Sequence, residues 1–208
     1  MDYSRQQSLN LHIPRSIWIV GCGGVGYWTG MTFALAGVPE ITLFDHDEAS
    51  DSNRNRVPYQ SGDINAQKTK SEILQEHILK IRPDAIVVSL GHWSQDWAGS
   101  LARPEWLIAT TDTHASRTQC FEWAKRNRVK YLEAAAEGEF GSITGSPADF
   151  ATPEESMPGY ASIPVWAGPC MAAAYLAAAY VLHGHNPNSR SLRLGFNPTD
   201  GQATLLNR

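Results

Sequence analysis

The sequence predicts an α/β fold: a doubly wound, mostly parallel sheet that ends in a C-terminal antiparallel hairpin. Two observations carry this. Apolar runs of strand length at 17–20, 41–44, 86–90, 106–109 and 129–134 alternate with helix-length segments at about 25–36, 69–81 and 115–127. Strands alternating with helices pack as a parallel sheet with right-handed crossovers. Beyond Ala134 the alternation stops, and two apolar runs at 191–196 and 203–206 flank the turn Asn197-Pro198-Thr199-Asp200-Gly201, as in a hairpin.

The first run, Ser16 to Val20, leads into the glycine-rich turn Gly21-Cys22-Gly23-Gly24-Val25-Gly26, and the segment from Val25 to Ala36 reads as the helix after it. The second run, Ile41 to Phe44, ends in Asp45-His46-Asp47, with Ser52-Asn53-Arg54-Asn55-Arg56 shortly after. Over 69–81, Ile73, Leu74, Ile78 and Ile81 share one helical face and charge takes the other. The fourth run closes on Thr110-Thr111-Asp112-Thr113. Ser142 to Gly145 suits a short strand. Pro147, Pro153, Pro158 and Pro164 then exclude helix and central strand. Residues 146–166 are therefore expected to form a loop crossing the sheet's edge, with a plain connector as the alternative. An alanine-rich helix from about Gly168 to His183 follows.

With 208 residues, 42% hydrophobic and 18% charged, the chain suits one globular domain. It divides into a nucleotide-binding half at 1–145, the crossover loop at 146–166, and a helix with the terminal hairpin at 167–208. A net charge of −4 argues against a broad nucleic-acid surface, so no nucleic-acid partner is expected. Cys22, Cys120 and Cys170 are widely spaced, which leaves neither a disulfide framework nor a four-cysteine zinc site and points to a reducing cytoplasm. His183 and His185 flank Gly184 at a helix end and read as surface. The N-terminus lacks a signal-peptide series. The longest apolar stretch, Val165 to Leu182, contains Pro169 and many alanines, so it reads as a buried helix and no membrane span is expected.

In an open parallel sheet, ligands bind outside the carboxyl ends of the strands where strand order reverses. The glycine turn, the Asp45–Asp47 pair and the Thr110–Thr113 stretch all sit at such ends. Gly21, Gly23, Gly24 and Gly26 let backbone N–H groups approach a phosphate, and the helix after them adds its positive end. Asp45 suits two ribose hydroxyls. Those features fit NAD and ATP equally. Arg54, Arg56, Lys68 and Lys70 break the tie. A nicotinamide cofactor has only a pyrophosphate to balance. A triphosphate under displacement instead builds charge on the departing pyrophosphate, which fixed cations stabilise. Asp112 is then placed to hold a Mg2+ ion bridging phosphate oxygens.

On these residues the chain resembles the ThiF/MoeB/HesA adenylyltransferases, the family that includes the adenylation domains of ubiquitin-activating enzymes. The likeness rests on Tyr3-Ser4-Arg5-Gln6, the turn Gly21 to Gly26, Asp45 and Asp47 with Ser52, Asn53 and Arg56, the helix from Lys70 to Pro83, and Thr111-Asp112-Thr113 with Arg117. It implies a Rossmann-like fold and ATP-dependent adenylation of the C-terminal carboxylate of a ubiquitin-like protein or a peptide with a flexible tail, in a cytoplasmic homodimer. It further implies that Asp45 binds the ribose, that Asn53, Arg56 and Lys70 contact phosphates, and that Asp112 binds magnesium. Arg5 would act across a dimer interface on the neighbouring subunit's ATP.

The chain departs from the pattern in places. Val57 replaces a glutamine, Arg54 an apolar residue, Thr113 an asparagine and Arg82 an asparagine, and the zinc-binding cysteine pairs of many relatives are missing. Lys68 competes with Lys70: upstream spacing suits Lys68, while the apolar phase of the helix favours Lys70 as the phosphate contact. Relatives that form a thioester use a cysteine near the crossover loop. Here Cys170, at the start of the late helix but at an apolar helix position, reads as a core-packing residue with a nucleophile as the alternative. Two other readings stay open, an oxidoreductase binding NAD or FAD through the same turn and a non-catalytic partner subunit of an activating enzyme.

Overall fold

The computed structural model describes residues 2–147, 165–185, 191–199 and 202–207. Eight strands form one sheet in the order β3-β2-β1-β4-β5-β6-β7-β8. Strands β1 (Ser16–Val20), β2 (Glu40–Phe44), β3 (Ile86–Leu90), β4 (Trp106–Ala109) and β5 (Lys130–Glu137) are parallel, and β6 (Phe140–Thr144), β7 (Leu192–Asn197) and β8 (Gln202–Asn207) continue the sheet antiparallel. The predicted α/β class and its hairpin are both present.

Every residue of β1 from Ile17 to Val20 is buried, because helices cover both faces of the central strands. On one face Ile17, Ile19, Ile41 and Leu43 pack with Phe33 of α1 (Gly24–Ala36), Ile73, Leu74 and Ile78 of α3 (Lys70–Ile81), and Ala173 and Ala177 of α6 (Ala167–Leu182). On the other, Trp18, Val20 and Phe44 pack with Cys120, Trp123 and Ala124 of α5 (His114–Asn127). Trp18 stacks on Trp123 with ring centroids 4.9 Å apart. The period-2 alternation along β1 thus divides one apolar run between two cores.

Two short helices, α2 (Ser61–Asn65) and α4 (Gln95–Ala98), and 3₁₀ turns at Ser4–Leu9 and Asp51–Asn53 were not evident from periodicity. All fall below the length at which an apolar stripe shows. The expected helix at 69–81 starts one residue later because Thr69 is its N-cap: the Thr69 hydroxyl accepts from the Glu72 N–H, and Glu72 reaches back to the Thr69 N–H at 2.8 Å. The short strand expected at Ser142 to Gly145 is β6, which begins earlier, and β5 runs on past Ala134 to Glu137 to pair with it. Most of the expected crossover loop at 146–166 lies outside the described residues, as do Asp200 and Gly201 of the terminal turn.

Candidate active site

The strand order places the carboxyl ends of β2, β1 and β4 side by side. The glycine turn, the Asp45–Asp47 segment and the Thr110–Thr113 segment therefore meet at one edge of the sheet.

Gly21 leaves β1 at φ +94°, and a Cβ on it would stand 2.9 Å from the Thr110 carbonyl carbon. Thr110 in turn donates its hydroxyl to the Gly21 carbonyl at 2.6 Å, locking the turn to the end of β4. A Cβ on Gly26 would overlap the Gly21 carbonyl oxygen. Gly23, the N-cap of α1, is different: a Cβ there meets nothing within 4 Å. At Gly23 the amino end of α1 thus has room, the arrangement that admits an anion.

These contacts separate two substitutions. Gly26→Ala should destabilise the fold by about 1–3 kcal/mol through overpacking, read as a lowered urea midpoint. Gly23→Ala should lower that midpoint less, through a poorer N-cap alone, and weaken nucleotide binding measured by calorimetry, because its methyl enters the open space beside the turn. Equal nucleotide affinity for Gly23→Ala and the unchanged chain would remove the turn from the site.

Asp45 braces the same turn. Its carboxylate accepts from the Cys22 N–H at 2.6 Å and from the Asp47 N–H at 2.9 Å. Burial raises its pKa above the usual carboxylate value, with those two N–H bonds and the Lys70 ammonium acting in the other direction. Lys70, the first residue of α3, pairs with Asp47 at 2.7 Å and holds that carboxyl below its ordinary range. Lys68 turns elsewhere, to Glu76 at 2.8 Å and Asp63 at 3.4 Å. The geometry therefore separates the two lysines, and Lys70 is the one beside Asp47.

Arg56 lies across the amino end of α1, where a Cβ on Gly24 would come within 2.9 Å of its Cδ and 2.7 Å of the Cys170 Sγ. Its Nη1 donates to the Ser52 carbonyl and to the Asn55 Oδ1, each at 2.9 Å. The Trp28 indole N–H holds its carbonyl at 2.9 Å. Asn53 spends its amide oxygen on the loop itself, accepting from the Ser50 N–H and hydroxyl, each at 3.1 Å. Only its amide nitrogen is left for the phosphate contact that the resemblance implies. Arg54 pairs with Asp51 at 3.3 Å on the surface.

Asp112 is exposed in the loop between β4 and α5. Arg117 Nε donates to the Thr111 carbonyl at 2.7 Å, and Arg117 Nη1 pairs with Glu133 at 3.0 Å, both side chains buried. Thr113 caps α5 by accepting from the Ser116 N–H at 3.2 Å. Among the described residues, the carboxylate and imidazole groups close enough to share a metal ion are Asp45, His46 and Asp47, and Asp112 stands outside that group.

Two predicted site residues do not join this edge. Arg5 sits in the 3₁₀ turn Ser4–Leu9, whose Gln6 amide donates to the Ala36 carbonyl at 2.8 Å. Ala36 ends α1, a 13-residue helix, so Arg5 is anchored about 20 Å from the glycine turn of its own chain. Cys170 is 1% exposed, and burial pushes its thiol up to about 11 despite the nearby Arg56. It packs beneath Gly24, which accords with the packing reading over the nucleophile alternative. Burial also raises Cys22 and Cys120.

Sequence reasoning passed over Trp28, Asn55 and Glu133. It also missed the His46–His92 pair, whose rings meet edge to face with centroids 5.0 Å apart beyond β2 and β3. Glu133 alone carried a signal, as a charge inside the apolar run Tyr131-Leu132-Glu133-Ala134.

The model of the ThiF family matches residues 5–158. The tRNA threonylcarbamoyladenosine dehydratase of Escherichia coli is 35% identical over 136 residues, 64% of this chain and 50% of that protein. The molybdopterin-synthase adenylyltransferase of the same organism is 28% identical over 145 residues, 69% of this chain and 57% of that protein. The crystal structure of E. coli MccB with ATP superimposes with a TM-score of 0.70 at 18% identity, covering 93% of this chain and 63% of that one. The chain spans about half the length of the curated relatives it matches. The matched segment contains the glycine turn, Asp45, Arg56, Lys70 and Asp112, and on that match the chain belongs to the ThiF family.

Proposed function

We propose that this edge binds Mg-ATP and transfers AMP to a carboxylate, releasing pyrophosphate. The observation that carries the reading is the gathering of an open helix amino end, a braced carboxylate and two cations at neighbouring strand ends. In sheet order β1, β2, β3, phosphates at the glycine turn and a ribose on Asp45 put the base beyond β2, beside His46 and His92. The oxidoreductase alternative explains the turn and Asp45 but leaves Arg56 and Lys70 without work. A non-catalytic subunit would have no need of any of them.

The acceptor carboxylate is already ionised at pH 7, so no general base is required, and placement with charge stabilisation supplies the rate. Arg56 and Lys70 would meet the phosphates. Asp112 offers the hard, exposed oxygen ligand that magnesium takes through one or two carboxylates, and the ion would neutralise phosphate charge there. Arg5, remote from its own site, would complete the site of a second copy in a homodimer.

The substrate we favour is the C-terminal tail of a ubiquitin-like protein or a short peptide. The 35% identity to a tRNA threonylcarbamoyladenosine dehydratase supports a second reading. There the carboxylate is that of a threonylcarbamoyl group on RNA, against which the net charge of −4 weighs. Among the described residues no helix is long and apolar enough to cross a membrane, and the cytoplasm is the proposed setting. Incubation with ATP and candidate carboxylates, followed by mass spectrometry, should show one AMP added to a tail peptide. Addition to RNA alone would select the second reading. Stabilisation by NAD and not by Mg-ATP in a thermal shift would overturn both.

A pH dependence follows from Asp45. Its carboxyl is raised from its ordinary 3.8 by burial, so it takes up a proton at higher pH than a free aspartate and then loses acceptor strength toward the ribose. ATP affinity should fall as pH drops toward that raised value, and Asp45→Asn should bind weakly with the slope removed. Calorimetric titrations between pH 7 and 5 check this; a slope surviving in Asp45→Asn assigns it to another group.

A further inference from the structure

We infer that Asn55 is a positioning residue that ties the far end of the crossover segment to the Arg56 guanidinium and sets which edge of that group is offered to phosphate. This rests on the adenylation reading for its catalytic consequence but not for the link itself. A carboxamide has one carbonyl oxygen and one NH2, and Asn55 uses both. Its oxygen accepts from Arg56 Nη1 and its nitrogen donates to the Val165 carbonyl, each at 2.9 Å. Val165 lies two residues before α6, so one exposed side chain bridges parts of the chain 110 residues apart.

The guanidinium geometry makes that bridge consequential. Both Nη1 protons are committed, one to the Ser52 carbonyl and one to Asn55. Among the described residues the Nε–Nη2 edge makes no hydrogen bond, and it is a fork that suits two oxygens of one phosphate. The main chain of Arg56 is held separately by Trp28, so Asn55 governs the side chain and not the loop's position. Exposed hydrogen bonds are individually weak, which leaves the tie between Asn55 and Val165 free to make and break.

The test uses the full chain with Asn55→Ala and Asn55→Asp. Aspartate keeps an oxygen for Arg56 but cannot donate to Val165 at neutral pH, whereas alanine loses both bonds. Hydrogen–deuterium exchange should quicken in both 51–57 and 165–170 for Asn55→Ala, and in 165–170 alone for Asn55→Asp. Saturating ATP–pyrophosphate exchange should drop about tenfold for Asn55→Ala, with ATP affinity held within about twofold. Unchanged exchange at 165–170 in both variants would overturn the link. Loss of deuterium protection with no nucleotide chemistry in the unmodified chain would instead overturn adenylation and leave the link standing.

Discussion

Arg56→Ala is expected to lower saturating ATP–pyrophosphate exchange by about 10²-fold, the usual loss when one fixed donor to a developing charge is removed. The expectation starts from an arginine whose main chain and one guanidinium nitrogen are already held, by Trp28, Ser52 and Asn55. Such a group has little ordering left to do when phosphate arrives, so its charge acts mostly in the transition state. Arg56→Lys should fall between, because a point charge cannot form the two parallel bonds of the guanidinium fork. The Arg56 and Cys170 side chains both flank Gly24, so a thermal melt must accompany the kinetics. Near-normal exchange in a well-folded Arg56→Ala would take the residue out of the mechanism.

The fold was legible because its determinants are periodic and local. Strand-length apolar runs separated by helical stripes leave few topologies, and β1 to β5 with α1, α3, α5 and α6 fall where those patterns lie. The site was legible to the extent that each residue type follows a strand end. Gly21, Asp45 and Thr110 are adjacent because β2, β1 and β4 are, and strand order follows a general rule.

What the sequence concealed depends on side-chain direction. Lys68 and Lys70 are two residues apart, yet one joins Glu76 and Asp63 while the other joins Asp47. No spacing rule predicts which carboxylates surround them. Asn53 reads as a ligand contact in the motif, but its oxygen closes a local capping box with Ser50. Cys170 is both a thiol at a helix start and an apolar helix position, and the packing of α6 on α1 decides for the second by burying it. Arg5, expected to act on a neighbouring subunit, lies at the far end of α1 from its own glycine turn, where Gln6 anchors its 3₁₀ turn, and no pattern in the sequence gives that distance.

The largest stability loss is expected at Arg117→Met, about 3–5 kcal/mol, which is the cost of breaking a buried ion pair by removing one partner. Glu133 has no exposure and Arg117 8%, so the carboxylate left behind cannot be rehydrated without lifting α5 from the sheet. For a chain of this size that loss corresponds to a fall of roughly 6–20 °C in Tm. Burial already raises the Tyr131 phenol beside the pair, and the Glu133 charge pushes it in the same direction. Arg117→Met with Glu133→Leu should recover most of the stability, because apolar side chains of similar volume often replace such pairs without loss. The paired variant should still be slow: Arg117 Nε also holds the Thr111 carbonyl next to Asp112 at 2.7 Å, and neither replacement restores that bond. Melting curves and exchange rates on the three proteins separate the two roles. If Arg117→Met alone costs less than about 1 kcal/mol, water reaches Glu133 and the pair is not buried in solution.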